Sequence, residues 1–156
     1  MDYTLLIFYA TLALGVSFLC SILEAVVLSM PHTHISVLQK EKSKVGAIWS
    51  KLKDDDAVRP LTAILTLNTI AHTMGAAGVG SQVQIIYGEE ALTIASIILT
   101  LAVLFLSEII PKTLGPAYWK QLAPVSGHIL SLMTSALAVI IVPIQWLKAI
   151  LPKGSQ

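Results

Sequence analysis

Three short clusters hold the polar side chains in an otherwise apolar chain. Ser17, Ser21 and Glu24 stand at i, i+4 and i+7; Asn68, His72 and Gly75 repeat that spacing; Ser107 and Glu108 adjoin each other just ahead of Pro111. On a helix, each of the first two sets falls along one stripe. The groups on offer are hydroxyl, amide and carboxylate oxygens. Hard cations such as Mg2+ take about six oxygen ligands in an octahedron, whereas softer metals want thiol and imidazole clusters, which this sequence lacks. The composition of the clusters therefore points to a site for an alkali or alkaline-earth cation. The competing chemistry, a hydrolase with Ser21 as nucleophile and His72 as base, lacks a glycine-rich nucleophile turn and a recognisable oxyanion hole. No enzyme activity is expected.

Each cluster also has a plain structural reading. The serines can bond back to their own helix, and Glu24 can sit near the headgroups. His72 can serve as a hydrogen-bond partner between helices. Glu108 can pair with Lys112 at i+4. Pro111 has no N–H for the carbonyl four residues back, so the Ser107 carbonyl is expected to lose its helical partner beside the Glu108 carboxylate. The run GAAGVGS, from Gly75 to Ser81, suits close helix packing, or an unwound stretch that presents bare carbonyls.

These groups need elements to position them, and the composition says which. Of 156 residues, 55% are hydrophobic and 12% charged, with a mean hydropathy of +0.79, well outside the range of soluble domains. Four apolar runs, at 5–30, 61–86, 91–110 and 125–142, approach the roughly 20 residues that a membrane helix requires. Lipid cannot satisfy free backbone groups, and the short alternating pattern of a barrel is missing, so the class is an all-α membrane protein. Ionisable groups at membrane depth cost about 2.5–3.5 kcal/mol each, which is why Glu24, His72 and Glu108 call for an explanation. The first run follows Met1, Asp2 and Tyr3, with no basic segment and no cleavage pattern, and reads as a retained helix. The single cysteine, Cys20, excludes an intrachain disulfide. Nothing points to nucleic acid.

Lys40, Lys42, Lys44, Lys51, Lys53 and Arg59 all fall between the first two runs, while residues 87–90 between the second and third carry no cation. The positive-inside rule puts that first loop in the cytoplasm and the N-terminus outside. Within the loop, Leu38, Val45, Trp49 and Leu52 recur at helical spacing after Pro31 and a possible capping Thr33. This predicts an amphipathic helix on the membrane surface, or a pair broken near Gly46. The fourth run lies between Pro124 and Pro143 and contains Ser126, His128, Ser131, Thr134 and Ser135. It either crosses, leaving Lys148 and Lys153 outside, or lies along the inner interface, anchored by Tyr118, Trp119 and Trp146.

The segments SILEA (Ser21 to Ala25), LTLNTIAHT (Leu65 to Thr73) and especially SEIIPKTLG (Ser107 to Gly115) resemble the transmembrane domain of the bacterial CorB/CorC and animal cyclin M family of magnesium transporters. The resemblance covers nearly the whole chain. It implies a homodimer in the inner or plasma membrane, with three transmembrane helices per subunit at about 4–30, 60–85 and 90–113. It also implies cytoplasmic juxtamembrane helices at about 33–57 and a belt-like interfacial helix at about 118–151, with the C-terminus in the cytoplasm. It further implies Mg2+ export coupled to Na+ entry, with both ions as transported species. By position, Mg2+ would be held by Ser21, Asn68 and Glu108, with Ser17, Glu24 and Ser107 beside them. One departure is that His72 stands where family members often carry a second asparagine. Full-length relatives continue into nucleotide-binding regulatory modules, so the expectation is a transmembrane portion of such a protein. A non-transporting membrane anchor or Mg2+ sensor for those modules is the alternative.

Overall fold

A computed structural model describes residues 2–41 and 43–152; Lys42 and Lys153, two of the cations weighed above, lie outside the described residues. Among the described residues every regular element is helical. In chain order these are α1 (Thr4–Thr11), a π-helical segment (Leu12–Val16), α2 (Ser17–Ser29), α3 (His32–Lys40), α4 (Lys44–Leu52), a 3-10 turn (Asp54–Ala57) and α5 (Val58–Tyr87). After a second 3-10 turn (Glu89–Ala91) come α6 (Leu92–Ala102), a second π segment (Val103–Ile109), α7 (Ile110–Ala136) and α8 (Ala138–Ile150).

Two continuous stretches, Thr4–Ser29 and Glu89–Ala136, are long and apolar enough to cross a membrane. The expected second crossing corresponds to α5, whose 30 residues are long enough at 1.5 Å each. Its polar content, including Thr62, Thr66, Asn68, His72, Gln82 and Gln84, keeps it below the apolarity of the other two. That polarity fits a helix shielded by its neighbours better than one bathed in lipid.

The chain forms two compact units, one from Met1–Ala25 and Leu67–Ala117, the other from Val26–Thr66 and Tyr118–Gln156. In the first, small residues set the approach of helices. A Cβ at Gly75 would stand 2.6 Å from Ala13 Cβ and 2.9 Å from Ala13 Cα, and one at Gly78 would enter the Tyr9 ring. The stretch from Gly75 to Ser81 thus serves close packing, and α5 runs through it without unwinding. Gly115 makes a similar approach to Ala25.

The second unit is built around Trp49. Its side chain is fully buried, and its Nε1–H donates to the Ala123 carbonyl at 2.8 Å. A Cβ at Gly127 would stand 2.8 Å from the same nitrogen, so the glycine clears the space for that bond. Trp49→Phe is expected to remove this bond, leave the Ala123 carbonyl to its own helix and shrink a fully buried side chain, at a cost of about 1–3 kcal/mol. A lowered melting temperature in detergent, roughly 2–4 °C per kcal/mol for a chain of this size, is the measurement; an unchanged one would count against the role of the bond.

The juxtamembrane segment is a helical pair, one helix ending at Lys40 and the next starting at Lys44, so Gly46 is not the break. Gly46 lies inside α4, where a Cβ would come within 2.7 Å of the Leu38 backbone, so the residue that looks like a breaker is the contact point of α3 with α4. Ser43, not Thr33, provides a side-chain cap, accepting from the Gly46 N–H at 3.0 Å; α3 starts from Pro31 with no side-chain cap bond. Lys53 Nζ donates to the Val27 carbonyl at 2.9 Å in the last turn of α2, where a cation complements the helix dipole. Burial pulls this ammonium below its ordinary pKa, with Asp56 opposing the shift.

The segment expected as one belt helix over 118–151 is interrupted. Tyr118 departs from helical geometry inside α7 (φ −120°, ψ 20°), and Leu137 (φ −97°, ψ 10°) separates α7 from α8. Pro124 and Pro143 lie within helices and do not bound the run. Trp119 packs edge-on against His34 at 4.9 Å, and Lys120 lies 5.6 Å from the same ring; Tyr118 and Trp146 are exposed.

Candidate cation site

Glu108 is the centre of the polar contacts in the first unit. Its Oε2 accepts from Lys112 Nζ at 2.8 Å, the i,i+4 pair legible in SEIIPK. Its Oε1 lies 3.5 Å from Ser17 Oγ, and Ser17 Oγ is 2.7 Å from His72 Nε2. Ser17 has one hydroxyl hydrogen, so both contacts are met when His72 Nε2–H donates to Ser17 Oγ and Ser17 O–H is aimed at the carboxylate. At 3.5 Å the second contact is weak, and it leaves Oε1 without a strong donor. One carboxylate oxygen is thus neutralised by Lys112 and the other is only loosely engaged.

Ser107 is fully buried and donates to the Leu14 carbonyl at 2.7 Å. Both partners belong to π-helical segments. In the second of these, the Ile110 N–H bonds to Phe105 O, five residues back. The expected effect of Pro111 was a single orphaned carbonyl; the structure shows a wider change, in which the turn before the proline widens to the i−5 pattern. Single π turns inside α-helices occur frequently at functional sites.

Asn68 is half-buried, and its Oδ1 is a buried acceptor with no hydrogen-bond donor among the described residues. Leaving such an oxygen unpaired costs about 1–3 kcal/mol. Ser21 is buried and Glu24 half-buried. No hydrogen bond joins Ser21, Glu24 or Asn68 to Glu108 among the described residues, although Glu24 and Glu108 both lie within electrostatic range of Lys112 and of Cys20. The structure therefore links Ser17, His72, Glu108 and Lys112 directly, ties Ser107 to Leu14, and keeps Ser21, Glu24 and Asn68 in the same unit with no hydrogen bond to that cluster among the described residues.

A cavity of about 360 Å3 lies beside this cluster, with His72, Thr100 and Glu108 as its polar lining and Ala13, Ala76 and Val103 among its apolar walls. Thr100 is a lining residue that the sequence reading missed; its hydroxyl bonds back to Ser96 O at 2.7 Å, and an isolated threonine in an apolar run gives no signal. His72 takes the structural role of a helix-to-helix partner. Among the described residues no three His, Cys, Asp or Glu side chains gather into a metal cluster, so any cation held here would rest on one or two carboxylates with neutral oxygens.

Comparison with known proteins bears on this site. A UPF0053 protein, sll1254, from Synechocystis sp. is 29% identical over 141 residues, covering 90% of this chain and 38% of that relative. The chain thus spans well under half of that relative's length. The family described as Cyclin M transmembrane N-terminal domain matches residues 8–154, taking in Ser17, Asn68, Ser107 and Glu108 together, and this chain is a membrane protein that belongs to that family.

Proposed function

We propose that this chain is an Mg2+-transporting membrane domain, working as a homodimer with three membrane crossings per subunit. Mg2+ leaves the cytoplasm through alternating access, driven by Na+ entry, and is held by Glu108, Asn68 and Ser21 with Ser17, Ser107 and Glu24 close by. The N-terminus lies outside and the C-terminus in the cytoplasm. The observation that carries this reading is the Asn68 Oδ1, a buried oxygen with no donor among the described residues, which shares its unit with a half-buried carboxylate. A hard cation is the partner that answers an unpaired amide oxygen and an anionic oxygen together. Membership of a membrane family not known for catalysis supports the transport reading over the hydrolase.

Mechanistically, the chain's residues divide the work. Glu108 supplies the charge that offsets the cost of stripping water from Mg2+, which dehydrates reluctantly and keeps several waters. Lys112 holds that carboxylate in the absence of cargo and must release it for the ion to bind, so the site alternates between two cations. Proteoliposomes loaded with a fluorescent Mg2+ indicator, with an imposed Na+ gradient, test the reading directly. Flux that follows the gradient is expected. Mg2+ binding without flux would favour the sensor reading, which the tight Glu108–Lys112 pair also accommodates as a static structural contact.

A further inference from the structure

The second unit contains a cavity of about 640 Å3 that plays no part in the cation reading. Its size lies within the roughly 300–1,000 Å3 of small-molecule sites. Charged side chains of both signs line it: Lys51 and Arg59, and Asp54 and Asp55. Ser131, Thr134 and Ser135, spaced i, i+3 and i+4 along one face of α7, add hydroxyls to the same lining. Two cations and two anions cancel, so the cavity as a whole is neutral, with its polar groups set among apolar walls. Among the described residues the ion pair is Lys112–Glu108; none of these four side chains, all of them exposed, pairs with another.

A wall with unpaired charges of both signs is best matched by one ligand that carries both. A lone phosphate would satisfy the cations and be repelled by the carboxylates; a metal ion would meet the opposite conflict. The same two helices carry exposed apolar residues: Leu132 (72%) on α7, and Val139 (85%) and Trp146 (69%) on α8, whose Gln145 also lines the cavity. Exposed apolar residues of this kind suit acyl chains, with Trp at the headgroup level.

We propose that this cavity binds the headgroup of a zwitterionic phospholipid carrying a primary ammonium, the phosphoethanolamine class. The phosphate is held by Arg59 and Lys51 with help from the Ser131 and Ser135 hydroxyls, the Thr134 O–H already donating to the Ser131 carbonyl at 2.9 Å, and the ammonium donates to Asp54 and Asp55. The guanidinium fork suits phosphate oxygens, and charge-assisted bonds at both ends set the orientation of the headgroup. A quaternary choline group has no N–H to donate, so it should bind less well. The proposal does not depend on the cation site.

The test is native mass spectrometry of the whole chain taken from nanodiscs that contain phosphatidylethanolamine, phosphatidylglycerol and phosphatidylcholine in equal parts. Retention of phosphatidylethanolamine is expected to exceed that of phosphatidylglycerol by at least about tenfold, and that of phosphatidylcholine by several-fold. The double variant Lys51→Gln/Arg59→Gln should lose at least about tenfold of that retention, with melting in detergent confirming that it is folded. If it does not fold, Ser131→Ala/Ser135→Ala removes two hydroxyls without touching charge and should reduce retention several-fold. Equal retention of the three lipids, a preference for phosphatidylglycerol, or variants that retain lipid like the parent would overturn the proposal. Millimolar inorganic phosphate separates the sources: phosphate bound in place of the lipid would sink the lipid assignment, while undiminished phosphatidylethanolamine retention supports it.

Discussion

Glu108→Gln is expected to reduce Mg2+ flux in proteoliposomes to background, a loss of at least about 100-fold, while the protein melts within a degree or two of the parent. The two halves of this result have separate causes. Removing the central anionic ligand from a partly dehydrated cation site forfeits roughly 3–5 kcal/mol. The Lys112 pair, by contrast, is an i,i+4 contact with Lys112 about half exposed, and pairs of that kind contribute about 0.3–0.5 kcal/mol to stability. Lys112→Met provides the comparison, since it breaks the same ion pair but leaves the carboxylate. If both variants lost flux equally, the ion pair and not cation binding would explain the effect. Normal flux through Glu108→Gln would remove Glu108 from the site altogether.

The second large effect is on folding. Gly75→Val places branched carbon where Ala13 Cβ, Cα and N already stand within about 3 Å of a Cβ position, and two of those three atoms are backbone. Side-chain repacking cannot relieve that contact, so the helices must separate. Overpacking of this sort costs about 1–3 kcal/mol or more, and the expected result is a chain that melts well below the parent or is lost during extraction. Gly80→Ala is the matched control. Its Cβ would meet only Leu92 Cδ2 at 3.9 Å, and alanine is up to about 1 kcal/mol better than glycine in a helix, so stability should be unchanged or higher. Equal melting of Gly75→Val and the parent would show that the α5 glycines do not set the approach.

What the residues disclosed in advance, and what they hid, follows from how local each signal is. The apolar runs announced helices because hydropathy and backbone satisfaction are properties of the segment itself. Glu108 and Lys112 announced their pairing because i,i+4 neighbours on a helix need no third element. His72 announced the class of its contact but not the partner, since Ser17 is 55 positions away and only packing brings the two together. Gly46 misled, because a glycine that ends a helix and a glycine that admits a neighbour's backbone are the same residue until the neighbour is known. The kink at Tyr118 falls at the expected start of the belt segment, two residues after Pro116, whereas the break at Leu137 has no glycine or proline beside it, and Pro124 and Pro143 lie inside helices. The two π segments, LALGV and VLFLSEI, consist largely of ordinary helix formers, so nothing in their composition sets them apart.

Those π segments also change how the chain tolerates altered length. Each closes its turn with one residue more than an α-helix needs, so each behaves as a single-residue insertion held within an otherwise regular rod. Deleting one residue between Val103 and Leu106 would let the turn close at 3.6 residues, and because the π turn had already absorbed that residue, the side chains on either side would keep nearly the same azimuth. Glu108 and Lys112 would keep their own spacing, their ion pair and the direction of the carboxylate toward Ser17. A deletion in the regular turns of α6 has no such slack, and would rotate everything beyond it by about 100°. One residue less should therefore be tolerated inside the π segment and disconnect the carboxylate from the first helix when taken from α6.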